Sequence, residues 1–123
     1  MANPNIVNVT SIYGVTSYLI PTGTTATTWT ALTPAVNTVN KIDNIVAANV
    51  TGTSATITVS INSATGGGGT AYRLAFQISV PANAALIIVD KSTAFYLGET
   101  QSIVVTSGTS NAIELTASYE AIT

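Results

Sequence analysis

A chain of 123 residues can close one hydrophobic core but not two, and a hydrophobic fraction of 46% is that of an ordinary globular protein. Only 7% of the residues are charged, against roughly 25% in soluble domains, so Thr, Ser, Asn and Ala must cover the surface. With Lys41, Arg73 and Lys91 as the basic side chains and a formal net charge of -2, the chain lacks the basic stripe that nucleic acid requires.

No apolar run approaches the roughly 20 residues needed to span a bilayer, and the longest, Ala84 to Val89, reads as a buried strand. The start Met1-Ala2-Asn3-Pro4-Asn5 carries neither the basic residues nor the apolar stretch of a secretory signal, which implies synthesis in a cytoplasm. Cysteine is absent, removing disulfides and Cys-based zinc sites.

In chain order, the Asn-rich residues 1–8 read as an N-terminal arm that orders on contact with a neighbour. Strands are expected near Ile6 to Tyr13, Val15 to Ile20 and Thr25 to Leu32, then over Lys41 to Val50 and Ser54 to Asn62. Ile57, Val59 and Ile61 share one face of the last of these.

Residues 63–70 contain Gly66-Gly67-Gly68-Gly69, too much backbone freedom for a regular strand, and read as a mobile hairpin tip. Tyr72 to Val80 alternates most clearly: Tyr72, Leu74, Phe76, Ile78 and Val80 are predicted to enter the core, with Arg73, Ala75, Gln77 and Ser79 facing away. Ala84 to Asp90, Gln101 to Thr106 and Asn111 to Ile122 complete the set, and Ile113, Leu115, Ala117 and Tyr119 share a face of the last.

Pro21-Thr22-Gly23, Thr51-Gly52-Thr53, Pro81-Ala82-Asn83 and Ser107-Gly108-Thr109 supply turns at hairpin spacing. No helical period is evident. The expected fold is a single all-β domain over residues 1–123, an antiparallel β-sandwich of about eight short strands, Ig-like or jelly-roll.

Catalytic groups are hard to assemble. Histidine is absent, which removes the commonest general base and the usual partner of a nucleophilic Ser. Glu114 and Glu120 share a face of one expected strand, but six strand residues separate them by about 20 Å, far beyond the roughly 5–9.5 Å of glycosidase carboxylates.

Asp43, Asp90 and Glu99 lie outside any D-x-D-x-D-G loop, so no calcium site is expected. The glycine run lacks the following Lys and helix of a phosphate cradle. Asn8-Val9-Thr10 and Asn49-Val50-Thr51 match the glycosylation pattern, as chance allows in a chain so rich in Asn and Thr. Trp29, Tyr13, Tyr18, Tyr72, Tyr96 and Tyr119 offer rings for sugar stacking, against a default role in packing. The reading is of a protein that is not an enzyme, with no catalytic residue, metal or cofactor.

Ala48-Asn49-Val50, Ser54 to Val59, Tyr72-Arg73-Leu74-Ala75, Ile78 to Ala82, Leu86 to Lys91, Leu97-Gly98-Glu99 and Ala117 to Ile122 together resemble short β-sandwich virion structural proteins of tailed phages. The resemblance spans Lys41 to Ile122, about two thirds of the chain, and departs from the pattern at Gly98-Glu99-Thr100, where Gly then Asp is expected, and in the glycine insertion. It implies a head-decorating, or cement, protein located in the virion after synthesis in the host cytoplasm. The implied partners are the major capsid protein or other virion proteins and further copies of itself, without nucleic acid or membrane. A tail, neck or fibre component and a carbohydrate- or receptor-binding module are the alternatives. Asn3 and Asn5 in the arm, with Gly66, Gly67, Gly68 and Gly69 in the loop, are the expected interface residues.

Overall fold

The computed structural model describes residues 4–123 and is all-β. Its strands are β1 (Ile12–Leu19), β2 (Thr27–Thr28), β3 (Val39–Asn49), β4 (Ala55–Asn62), β5 (Ala71–Val80), β6 (Ala85–Val89), β7 (Phe95–Leu97), β8 (Ser102–Ser107) and β9 (Ile113–Ile122). Two antiparallel sheets form a sandwich, one in the order β1-β9-β3-β6 with β7 also on β3, the other in the order β2-β8-β4-β5.

β6 pairs with Ile45 to Ala48 and β7 with Asn40 to Ile42, so the two lie along the same edge of β3 as one interrupted strand. The interruption is a short 3-10 turn capped by Asp90, whose Oδ1 accepts from Ser92 N, Ser92 Oγ and Thr93 N at 2.9, 2.6 and 3.2 Å. Counted this way, each sheet has four strands and the connections alternate between layers, except in the β4–β5 hairpin. That order is the jelly-roll alternative, not the Ig-like one. Turns spaced like hairpins therefore mostly cross from one sheet to the other.

The core follows the alternation of the inner faces. Ile42, Ile45, Ala47, Ile113, Leu115 and Ala117 from one sheet meet Ile57, Val59, Val80, Ile103 and Val105 from the other. Tyr119 completes the β9 row, its hydroxyl donating to Ala31 O at 3.0 Å, and burial pushes its pKa up.

Buried asparagines tie the corners. Asn49, 2% exposed, donates to Thr53 O and Val80 O at 2.8 and 3.0 Å and accepts from Thr51 N and Oγ1 at 2.9 and 2.7 Å. One side chain thus closes the β3–β4 corner onto the end of β5, the kind of satisfied buried polar group that a stable corner needs.

The first third departs from the sequence expectation. Ile6 to Tyr13 and Val15 to Ile20 are not two strands: Gly14 sits inside β1 opposite Glu120, and residues 5–8 turn back through Asn8 N to Asn5 O at 3.1 Å. Of Thr25 to Leu32 only Thr27–Thr28 pairs, because Trp29 dives into the core at 1% exposure and a 3-10 turn follows. Trp29 is therefore packing, and no part of an exposed aromatic platform.

Candidate interaction surface

The clearest alternation in the sequence does not enter the core. β5 uses ten residues opposite the eight of β4, with register shifts at Ile57/Val59 and Val59/Ser60. Two extra residues in β5 break the period of two, since each bulge moves the following side chains to the other face. Ala75, rather than Leu74 or Phe76, pairs with Val59, and Val80 pairs with Ala55 and is fully buried. Tyr72, Leu74, Phe76 and Ile78 remain 63%, 37%, 55% and 41% exposed.

β5 is also the edge of its sheet, so these apolar side chains border open space. Across a gap lies β6, the edge of the other sheet. Leu74, Phe76 and Ile78 on one side and Leu86, Ile87 and Ile88 on the other line an open groove of about 460 Å³. The Arg73 guanidinium stands 5.2 Å from the centroid of the Phe76 ring, a cation–π pair that holds both side chains at the rim. Gln77, at φ 49°, donates its backbone N–H to Thr58 Oγ1 at 2.9 Å, which pins one bulge.

Charge is distributed unevenly. Lys41, Asp43, Asp90, Lys91 and Glu120 line a concavity of about 640 Å³ on the outer face of the β3 sheet, with Asn44, Val46 and Ile87. Glu114 faces outward from β9 in the same sheet. Glu99 is buried at 4% exposure and accepts from Asn37 N at 2.6 Å. Arg73 is thus the charged residue of the β2-β8-β4-β5 sheet, in which β4 and β8 turn Thr56, Thr58, Ser60, Val104 and Thr106 outward.

The carboxylates do not converge: among the described residues no three His, Cys, Asp or Glu side chains gather as a metal group. Asp90 carries a lowered pKa because the Ser92 hydroxyl and the Ser92 and Thr93 amides donate to its carboxylate, which is a capping arrangement and needs no chemistry to explain it. Glu114 and Glu120 sit at opposite ends of β9, opposite Ala48 and Lys41.

The glycine loop is no free tip. Asn62 Oδ1 accepts from Ala64 N at 3.0 Å and Gly69 N at 2.8 Å, and its Nδ2 donates to Gly67 O at 3.1 Å. Thr28 Oγ1 donates to Gly66 O at 3.1 Å and Ser102 Oγ to Ala64 O at 2.6 Å, which folds residues 63–70 back over β2 and β8. Gly67 has φ 79°, and a Cβ there would lie 2.5 Å from Thr28 Oγ1. Glycine here serves close packing as well as turning. Gly66, Gly68 and Gly69 stay exposed and Gly67 is half-buried.

Asn3 lies outside the described residues. Asn5 is exposed and shapes the turn by accepting from Val7 N at 2.9 Å, while Ile6 and Val7 project at 51% and 91% exposure. The structure does not bring this arm and the glycine loop to one site by any hydrogen bond it shows. The sequence reading missed the exposed apolar side chains of β5. The signal available was the excess of β5 over β4 in length, visible only once the hairpin partner is known.

Among the described residues no helix is long and apolar enough to cross a membrane. The sequence matches no protein-family model, and no curated protein matches it. Among solved structures, the chain is similar to one in the cryo-EM structure of the giant freshwater prawn Macrobrachium rosenbergii extra small virus VLP, at 16% identity over 98% of this chain and 86% of that chain, with a TM-score of 0.42. A likeness at this level carries no function with it.

Proposed function

We propose that the protein is a structural component of a virion that works by contact and not by catalysis, and in particular a decoration protein on the head of a tailed phage. The observation that carries this reading is the exposed apolar cluster of Leu74, Phe76 and Ile78 on β5, faced by Ile87 across the groove, on a protein with only 7% charged residues. Contiguous apolar surface of that kind marks a contact site. The cores of such contacts are depleted in charge and enriched in aromatic residues.

The segregation of charge adds an orientation. The charged outer face of the β3 sheet suits water, while the threonine-rich β4 sheet and the β5 edge suit a neighbouring subunit. The resemblance of Lys41 to Ile122 to tailed-phage virion proteins supplies the particle, and the jelly roll is an architecture found in capsid and lectin domains alike. A tail or neck location would use the same surface on a different lattice.

A carbohydrate-binding role finds less support. Trp29 and Tyr119 are buried, and the exposed tyrosines are spread over three strands, Tyr13 and Tyr18 on opposite faces of β1, Tyr72 on β5 and Tyr96 on β7. Co-sedimentation of the purified protein with capsids lacking it tests the proposal. Saturable binding that Phe76→Asp and Ile87→Asp abolish, while both variants keep the wild-type melt, is the expected result. Binding that both variants retain would remove the groove from the account, and no binding by the wild type to heads or tails would remove the virion role.

A further inference from the structure

We infer that two copies of this chain pair through the free edge of β1, strand to strand and antiparallel, to make one continuous sheet across a two-fold axis at Val15. The inference deepens the assembly reading above and rests on it for the premise that copies meet.

Sheet edges invite pairing, and proteins blunt them with bulges, charges, prolines or very short strands. Three of the edges here are blunted. β5 carries two extra residues, a left-handed Gln77 and Arg73. β6 is five residues long with a register shift, and β2 has two residues. β1 has none of these devices: eight residues, Ile-Tyr-Gly-Val-Thr-Ser-Tyr-Leu, without charge or proline, run in unbroken register along β9 from Ile12↔Ile122 to Leu19↔Leu115.

The hydrogen-bond phase of the free side follows from the bonded side. Ser11 and Thr123 exchange both backbone bonds, at 3.2 and 3.0 Å, in the same register as β1 and β9. Antiparallel pairs alternate between bonded and non-bonded, so odd residues of β1 serve β9. The N–H and C=O groups of Ile12, Gly14, Thr16 and Tyr18 therefore point to the open edge.

A two-fold axis perpendicular to a sheet pairs residues of the same face, so the residue numbers of each pair sum to an even value. An axis at Val15 sets Gly14 against Thr16 and Ile12 against Tyr18, all with outward backbone groups. Ile12 and Tyr18 are 54% and 80% exposed, and a β-branched side chain opposite an aromatic one is a favourable cross-strand pair. An axis at Thr16 would instead put Gly14 against Tyr18 and leave the ring without a partner.

A second copy fits this edge better than a foreign strand, because the edge is its own complement: with no charge on it, two copies meet without repulsion. The side chains favour pairing as well. On both faces of the joined sheet the exposed side chains of Ile12, Tyr13, Val15 and Tyr18 add their flanks to the backbone pairing, Ile12 and Tyr18 on one face and Tyr13 and Val15 on the other.

Sedimentation equilibrium of the whole chain reads the state, and a Val15→Cys variant reads the geometry, because the native chain has no cysteine. Val15 faces its own copy in a non-bonded pair with Cα atoms about 4.5 Å apart, within the range that a disulfide spans. The wild type is expected as a dimer, Val15→Cys as a disulfide dimer under mild oxidation, and Ser79→Cys on β5 as uncross-linked. Thr16→Pro removes an outward N–H while leaving the β9 ladder, and should weaken dimerisation at least tenfold with a cooperative melt retained. A wild type that stays monomeric at millimolar concentration would overturn the inference. So would an oligomer that Thr16→Pro leaves intact and Val15→Cys fails to cross-link, and in that case the assembly reading survives through another surface.

Discussion

The Trp29 indole N–H donates to Ser17 Oγ at 3.2 Å, joining the segment after β2 to the one fully turned-in residue of β1. Both partners are buried, at 1% and 9% exposure, so this bond anchors an otherwise exposed edge strand to the core. Ser17→Ala leaves the indole N–H without its acceptor and should cost about 1–3 kcal/mol in urea unfolding. Because Trp29 is the sole tryptophan, its emission should be blue-shifted in the native state and move to longer wavelength on unfolding. An unshifted native spectrum would contradict its placement.

Asn49 makes its bonds with both ends of its amide, so no shorter or charged side chain replaces it. Asn49→Ala takes the side-chain donor from Val80 O and the acceptor from Thr51 N, leaves Thr53 O to the Thr51 hydroxyl alone, and should destabilise by about 2 kcal/mol. Asn49→Asp should be no better, since it turns a carboxylate toward the carbonyl oxygens of Thr53 and Val80. Equilibrium unfolding of both variants checks this.

The glycine loop gives a paired test. Gly67→Ala forces a Cβ against Thr28 Oγ1 at a positive φ and should cost about 1–3 kcal/mol. Gly66 has open space at its Cβ position, and Gly66→Ala should stay within about 0.5 kcal/mol of wild type. Equal effects would mean that the loop is not packed as described.

Asp90 sets an acid-side dependence. Its folded pKa is lowered, chiefly by the Ser92 hydroxyl, so its stabilising effect is complete above the ordinary value of 3.8 and is lost as pH falls through the lower folded value. Asp90→Asn should therefore flatten the fall in melting temperature below that pH. An unchanged acid limb would show that the capping bonds do not matter to the fold.

Much of the fold is legible in the sequence where period and partner agree. Ile57 and Val59 in β4 and Ile113 to Tyr119 in β9 alternate without bulges, and their faces are buried as expected. β5 alternates as regularly, yet its period is broken by two extra residues that only the register with β4 reveals. β7 is three residues long and carries no period at all. The glycine run signals mobility by composition, whereas a single upstream Asn62 closes it, a contact that spacing alone does not announce. Of the interaction surface, the low charge was readable and the location was not, because exposure of Tyr72 and Phe76 is a property of the sheet edge.

The most direct test of the central claim is immunogold labelling of intact particles from a producing lysate, with antibody to this protein and separate scoring of heads and tails. Dense labelling over heads is the expected result and would leave symmetry and contact face as the next questions. Labelling confined to tails would contradict the decoration role while keeping the protein in the virion. Particles without label, in a lysate that contains the protein, would contradict the account as a whole.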